Sequence, residues 1–77
     1  MSQIIINEIN RVPGLAVHDD YREGNNQELL VYNMTGNGMS RDDLDELYDI
    51  ASAFAEVLYV ERDPRDSNYA LVGIGDY

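Results

Sequence analysis

Residues 40–56, SRDDLDELYDIASAFAE, constrain the fold more than any other stretch of the chain. Ser40 suits a helix N-cap, because its hydroxyl can accept from a backbone N–H that the first turn leaves unpaired. Asp43, three residues on, completes a short-armed capping box. Asp42 and Asp43 also place negative charge at the positive end of the helix dipole. Beyond them Leu44, Leu47, Tyr48, Ala51, Phe54, Ala55 and Leu58 recur at helical spacing and mark a face that has to be buried. The exit is contested. VLYVER at 57–62 is β-like, so helix and strand compete for Val57 and Leu58.

A helix with one apolar face needs a second layer to cover it, and the flanking sequence supplies strands. LAVHDDYRE at 15–23 reads as a strand with Leu15, Val17 and Tyr21 on one side. GNN at 24–26 tolerates positive φ, and QELLVYNMT follows as the second arm of a hairpin. GNGM at 36–39 connects to the helix, while DPRDSN at 63–68 is a turn-rich loop between VLYVER and a last strand, YALVGIG at 69–75. Residues 3–12 alternate poorly as a strand. Ile5, Ile6, Ile9 and Val12 instead form a short helical stripe, ended by Pro13-Gly14, although three consecutive isoleucines favour a strand. The expected fold is one α+β domain over 1–77: a small antiparallel sheet of about four strands in two hairpins, packed against one long amphipathic helix, with a second short N-terminal helix.

Charge separates this chain from an ordinary small globule. Its 77 residues hold fifteen acids, five arginines and no lysine, a formal net charge of −10. Self-repulsion at that density opposes folding, favours solubility and attracts basic partners. Direct binding to nucleic acid or to an anionic membrane needs cationic patches that this composition does not offer. A chain this short buries only about 60–65% of its unfolded surface, so the core is small. There is no cysteine to form a disulfide or a thiolate metal site. No apolar run approaches the roughly 18 residues of a membrane span, and no basic segment precedes the first isoleucines as in a secretory signal. A cytoplasmic location is the expectation.

With Leu44, Leu47, Ala51 and Phe54 turned inward, the other side of the helix holds Asp42, Asp45, Glu46, Asp49 and Glu56. Like charges three and four residues apart oppose helix formation by a few tenths of a kcal/mol per pair, and only Arg41 is near enough to offset them. Stability and solubility alone would intersperse lysines here. A row of fixed negative charges is also what a nucleic-acid strand presents to the Lys- and Arg-lined clefts that bind it. Asp19, Asp20 and Glu23, with Glu61, Asp63 and Asp66, are acids that can extend such a surface.

A short, cysteine-free, strongly acidic α+β chain carrying SRDDLDELYD on a helix resembles the small phage-encoded inhibitors that mimic DNA, of anti-CRISPR and anti-restriction type. The resemblance is one of overall character, without an aligned motif. It implies a non-enzymatic protein that occupies the basic cleft of a nucleic-acid-handling complex and blocks its DNA site, in the host cytoplasm if phage-encoded. No family residue is carried over.

Three other readings stand beside it. DDLDELYD has oxygen ligands, but helical spacing cannot wrap six or seven of them around one ion, so no metal is expected. His18, beside Asp19 and Asp20, points away from Leu15 and Val17 and has no nucleophile placed to join it, so neither catalysis nor a cofactor is expected. The strand tyrosines, Tyr32 and Tyr59 foremost with Tyr21 and Tyr69, suit a protein interface, and equally suit plain cross-strand packing. Tyr48 is expected to be core or half-buried. From them comes the alternative function, a small acidic binding or scaffolding module, homodimeric through the sheet, whose acids serve solubility.

Overall fold

The chain runs α1 (Ser2–Asn10), β1 (Leu15–Glu23), β2 (Asn26–Asn33), α2 (Arg41–Ser52), β3 (Glu56–Arg62) and β4 (Tyr69–Gly75), in a computed structural model that describes residues 2–75. The strands form one antiparallel sheet in the order β1-β2-β4-β3. β2 and β3 therefore run in the same direction with β4 between them, and α2 makes the crossover. This is the expected α+β architecture of two hairpins, a longer helix and a short N-terminal one.

Both helices lie on the same face of the sheet and share its core. Ile5 and Ile9 of α1, Leu47 and Ala51 of α2, Leu29 and Val31 of β2 and Val72 of β4 are fully buried together. The isoleucine stripe thus resolves as helix, since only that periodicity brings Ile5 and Ile9 to one side. Pro13 and Gly14 (φ 89°) turn the chain into β1, and the Asn10 side chain accepts from Val17 N at 2.9 Å, tying the end of α1 to the outer strand.

Strand parity in the first hairpin breaks at His18. The register shifts between Val17 and Asp19, so one extra residue enters β1 and every later side chain changes face. Tyr21, expected beside Leu15 and Val17, instead sits opposite Glu28 on the face away from the helices. β3 has a matching irregularity between Val57 and Tyr59, with Leu58 left over and 45% exposed. Bulges on both edge strands discourage further strand pairing there. The β1–β2 connection is two residues, Gly24 (φ 60°) and Asn25, which fits a type II′ turn because only the first central residue has positive φ.

α2 opens as its sequence predicts. Ser40 Oγ accepts from Asp43 N at 3.1 Å, and Asp43 Oδ2 accepts from Ser40 N at 3.0 Å. The end differs: α2 stops at Ser52, not near Leu58. Phe54 and Ala55 reach the core from the turn that follows, and the β-branched run from Val57 is taken by β3. Leu58 consequently leaves the buried set. So does Tyr48, which is 52% exposed on the flank of the helix.

Candidate partner-binding surfaces

The first candidate surface is the outer side of α2. Asp42, Asp45, Glu46 and Asp49 are all exposed. At 100° per residue they fall within an arc of roughly 100°, and they extend over roughly 10 Å of axis. Among the described residues none of these four side chains has a hydrogen-bond or ion-pair partner in the chain. Four of the five arginines are engaged elsewhere: Arg11 with Glu8 at 3.3 Å, Arg65 with Asp63 at 3.3 Å, Arg62 Nε with the Met39 carbonyl at 2.9 Å, and Arg22 with Gln27 at 3.5 Å. Arg41 opens α2 and borders one groove with Asp45. Asp43 belongs to the helix start and not to this row. Its carboxylate closes the capping box and also accepts from Asn33 Nδ2 at 3.2 Å.

Glu56, expected as the far end of the row, does not lie on the helix. α2 ends four residues earlier, and Glu56 opens β3 opposite Gly75. The helix row is therefore four carboxylates long.

The remaining expected residues gather on the other side of the sheet, with one exception. Asp19, Tyr32 and Tyr59 face away from the helices, because their strand partners Leu30, Tyr69 and Gly73 alternate with the core residues Leu29, Ala70 and Val72. Tyr32 and Tyr69 pack with ring centroids 5.1 Å apart, and His18 meets Tyr69 edge-on at 5.6 Å. Asp20 is the exception. It falls on the helix side of the outer strand and accepts from the buried Gln27 amide at 3.2 Å. The helix acids and the sheet residues thus occupy opposite surfaces and cannot meet one flat partner together.

Two residues that sequence reasoning passes over organise the sheet face. Gly73 lies under the Tyr59 ring, where an added Cβ would sit 2.3 Å from a ring carbon. The ring crosses it, and the Tyr59 hydroxyl donates a short hydrogen bond to Glu28 Oε2. That bond, with partial burial and the nearby Glu28 and Glu61 charges, pushes the Tyr59 phenol up from 10.0 to about 12. Glycine inside a strand is a recognised sign of such close approach. Glu28 carries a weaker signal, its alternation with Leu30 and Tyr32 on the side opposite Leu29 and Val31.

The loops behind α2 are built differently. The buried Asn33 donates to the Gly38 carbonyl at 2.9 Å and accepts from Thr35 N and Oγ1 at 2.8 and 2.6 Å. Asp63 is buried and held below the ordinary carboxylate range by the Arg65 guanidinium and by the Arg65 backbone N–H. These groups shape the connections that aim α2 and are internally satisfied. Among the described residues no three His, Cys, Asp or Glu side chains come together as a metal would require, and no helix is long and apolar enough to cross a membrane. Comparison with protein-family models, with curated proteins and with solved structures gives no significant match to this chain.

Proposed function

We propose that the chain is a non-enzymatic inhibitor whose α2 surface docks in the basic cleft of a nucleic-acid-handling complex, of CRISPR or restriction type, and keeps DNA out. It acts in the cytoplasm where that complex works. One observation carries the reading: Asp42, Asp45, Glu46 and Asp49 project together from a core-packed helix, and among the described residues none of them forms an ion pair, Arg41 being the single cation on the same helix. Fixed carboxylates in a row accept charge-assisted hydrogen bonds from Arg and Lys, the groups that line a DNA cleft. Their spacing costs helix stability, so a role in recognition supplies a reason for them that solubility does not.

The test measures DNA binding by purified CRISPR surveillance complexes and restriction enzymes in the presence of the protein, over a range of salt. The parent competes with DNA for one of them, and competition fades as salt rises. An Asp45→Asn/Glu46→Gln/Asp49→Asn variant competes at least tenfold less well. A variant that competes as strongly as the parent would mean that the helix charge is only solvation.

A further inference from the structure

The face of the sheet away from the helices has no element packed on it among the described residues, and strand pairing sorts its side chains into rows. Tyr21, Glu28, Gly73 and Tyr59 stand opposite one another across all four strands. On one side of that row come Glu23, Asn26, Gly75 and Glu56. On the other come Asp19, Leu30, Leu71 and Glu61. The two central strands are thus uncharged here apart from Glu28, while each edge strand contributes two carboxylates. Arg65, paired with Asp63, reaches in from the β3–β4 loop beside Asp19, Leu30 and Leu71 and feels the Glu28 charge, at the end of the face away from Glu23 and Glu56.

The middle of the face is hollow. A concavity of about 470 Å³ lies between Tyr21 and Tyr59, with Glu23 and Glu28 in its wall and Leu58 at its end. Tyr21 is 62% exposed and Tyr59 38%. Two aromatic rings beside two carboxylates match one kind of group, a planar cation that stacks on a ring while its N–H groups reach a carboxylate. That is a guanidinium more than an ammonium.

Charge also decides what covers the face. A second copy would bring its own carboxylates against these, in chains of net charge −10, and a nucleic acid would be repelled likewise. The apolar centre and acidic margins call for the complement, an apolar centre with basic margins. We propose that this face docks a basic, arginine-bearing segment of a partner protein, with one guanidinium seated between Tyr21 and Tyr59 against Glu23 and Glu28. The site is independent of the α2 reading, since the two surfaces lie on opposite sides of the sheet. The protein is then able to hold two basic surfaces at once.

The experiment titrates the isotope-labelled protein with a synthetic peptide of alternating arginine and leucine at about 0.15 M ionic strength, following backbone amides by NMR. Two triple variants with the same change of net charge are compared: Glu23→Gln/Glu56→Gln/Glu61→Gln on the sheet and Asp45→Asn/Glu46→Gln/Asp49→Asn on α2. Shifts are expected at Leu30, Gly73 and Gly75 and not along α2. The sheet triple weakens the peptide by roughly tenfold. Tyr21→Ala weakens it by about two- to fivefold. The α2 triple stays within about twofold of the parent, as a site on the opposite surface requires. Equal losses in the two triples would reduce the effect to general attraction and overturn the site, as would shifts confined to α2. A dimer in sedimentation that protects the sheet amides without peptide would also overturn it and assign the face to a second copy. Loss of α2-dependent DNA competition leaves this outcome untouched, so the two readings fail separately.

Discussion

Tyr59 shows how one side chain reads out its surroundings. Its phenol is raised to about 12, first by the hydrogen bond to Glu28 and then by partial burial. A raised value favours the protonated form in the folded state. The interaction is therefore complete below the ordinary value of 10.0 and is lost as pH rises through about 12. An ultraviolet titration of the phenols should show a step at about 12, and Tyr59→Phe should remove that step. Gly73→Ala provides the geometric control. The added methyl cannot coexist with the ring where it lies, so the ring swings off, the bond to Glu28 breaks and the late step moves back toward 10. Because the ring's far side is in solvent, stability should change by no more than about 1 kcal/mol. At the acid end Asp63 behaves in the opposite sense. Its folded carboxyl sits below the ordinary 3.8, so its contribution is present above that value and lost as pH falls through the lowered one. Acid unfolding monitored by circular dichroism should become less steep below about pH 4 in Asp63→Asn.

At the scale of elements, the capped start of α2 has the most specific dependence on single groups. Ser40→Ala removes one arm of the box and should cost about 1 kcal/mol in chemical denaturation. Asn33→Ala should cost roughly 2–3 kcal/mol, because it strands the Gly38 carbonyl and the Thr35 N–H and releases Asp43 from β2. The helix start was legible because a cap is local: Ser40 and Asp43 carry the signal within one turn. The N-terminal helix was legible for a similar reason, the spacing of Ile5 and Ile9. The end of α2 was not. Residues 53–58 satisfy helical spacing and strand propensity equally, and pairing with β4, which no short window contains, awards them to a turn and β3. The bulges at His18 and Leu58 were hidden for the same cause. Each depends on the partner strand's register, and each reverses which face the following residues share.

At the scale of the molecule, the amount of charge could be counted from the sequence, but its distribution could not, since sheet parity and the true end of α2 decide which acids act together. Hence Glu56, expected at the far end of the helix row, belongs with Tyr21 and Tyr59 on another surface, while Asp42, Asp45, Glu46 and Asp49 remain as a unit. A net charge of −10, with few ion pairs among the described residues, makes stability a function of salt. Raising ionic strength from about 0.01 to about 0.15 M shortens the screening length from about 30 to about 8 Å, so repulsion across the molecule fades and the melting temperature should rise. The α2 triple, Asp45→Asn/Glu46→Gln/Asp49→Asn, relieves repulsion between neighbours on the helix while leaving Asp42 at the favourable end of the dipole. It should be more stable than the parent by roughly 1 kcal/mol at low salt, and the gap should close as salt is added. Thermal unfolding of both proteins along a salt series measures this directly. A gap that persists at high salt would mean that the substitutions act by packing or capping instead. With the gap closing as expected, the variant that folds better is the same one that should lose its grip on a basic cleft, a combination that places the cost of the row on folding and its use in binding.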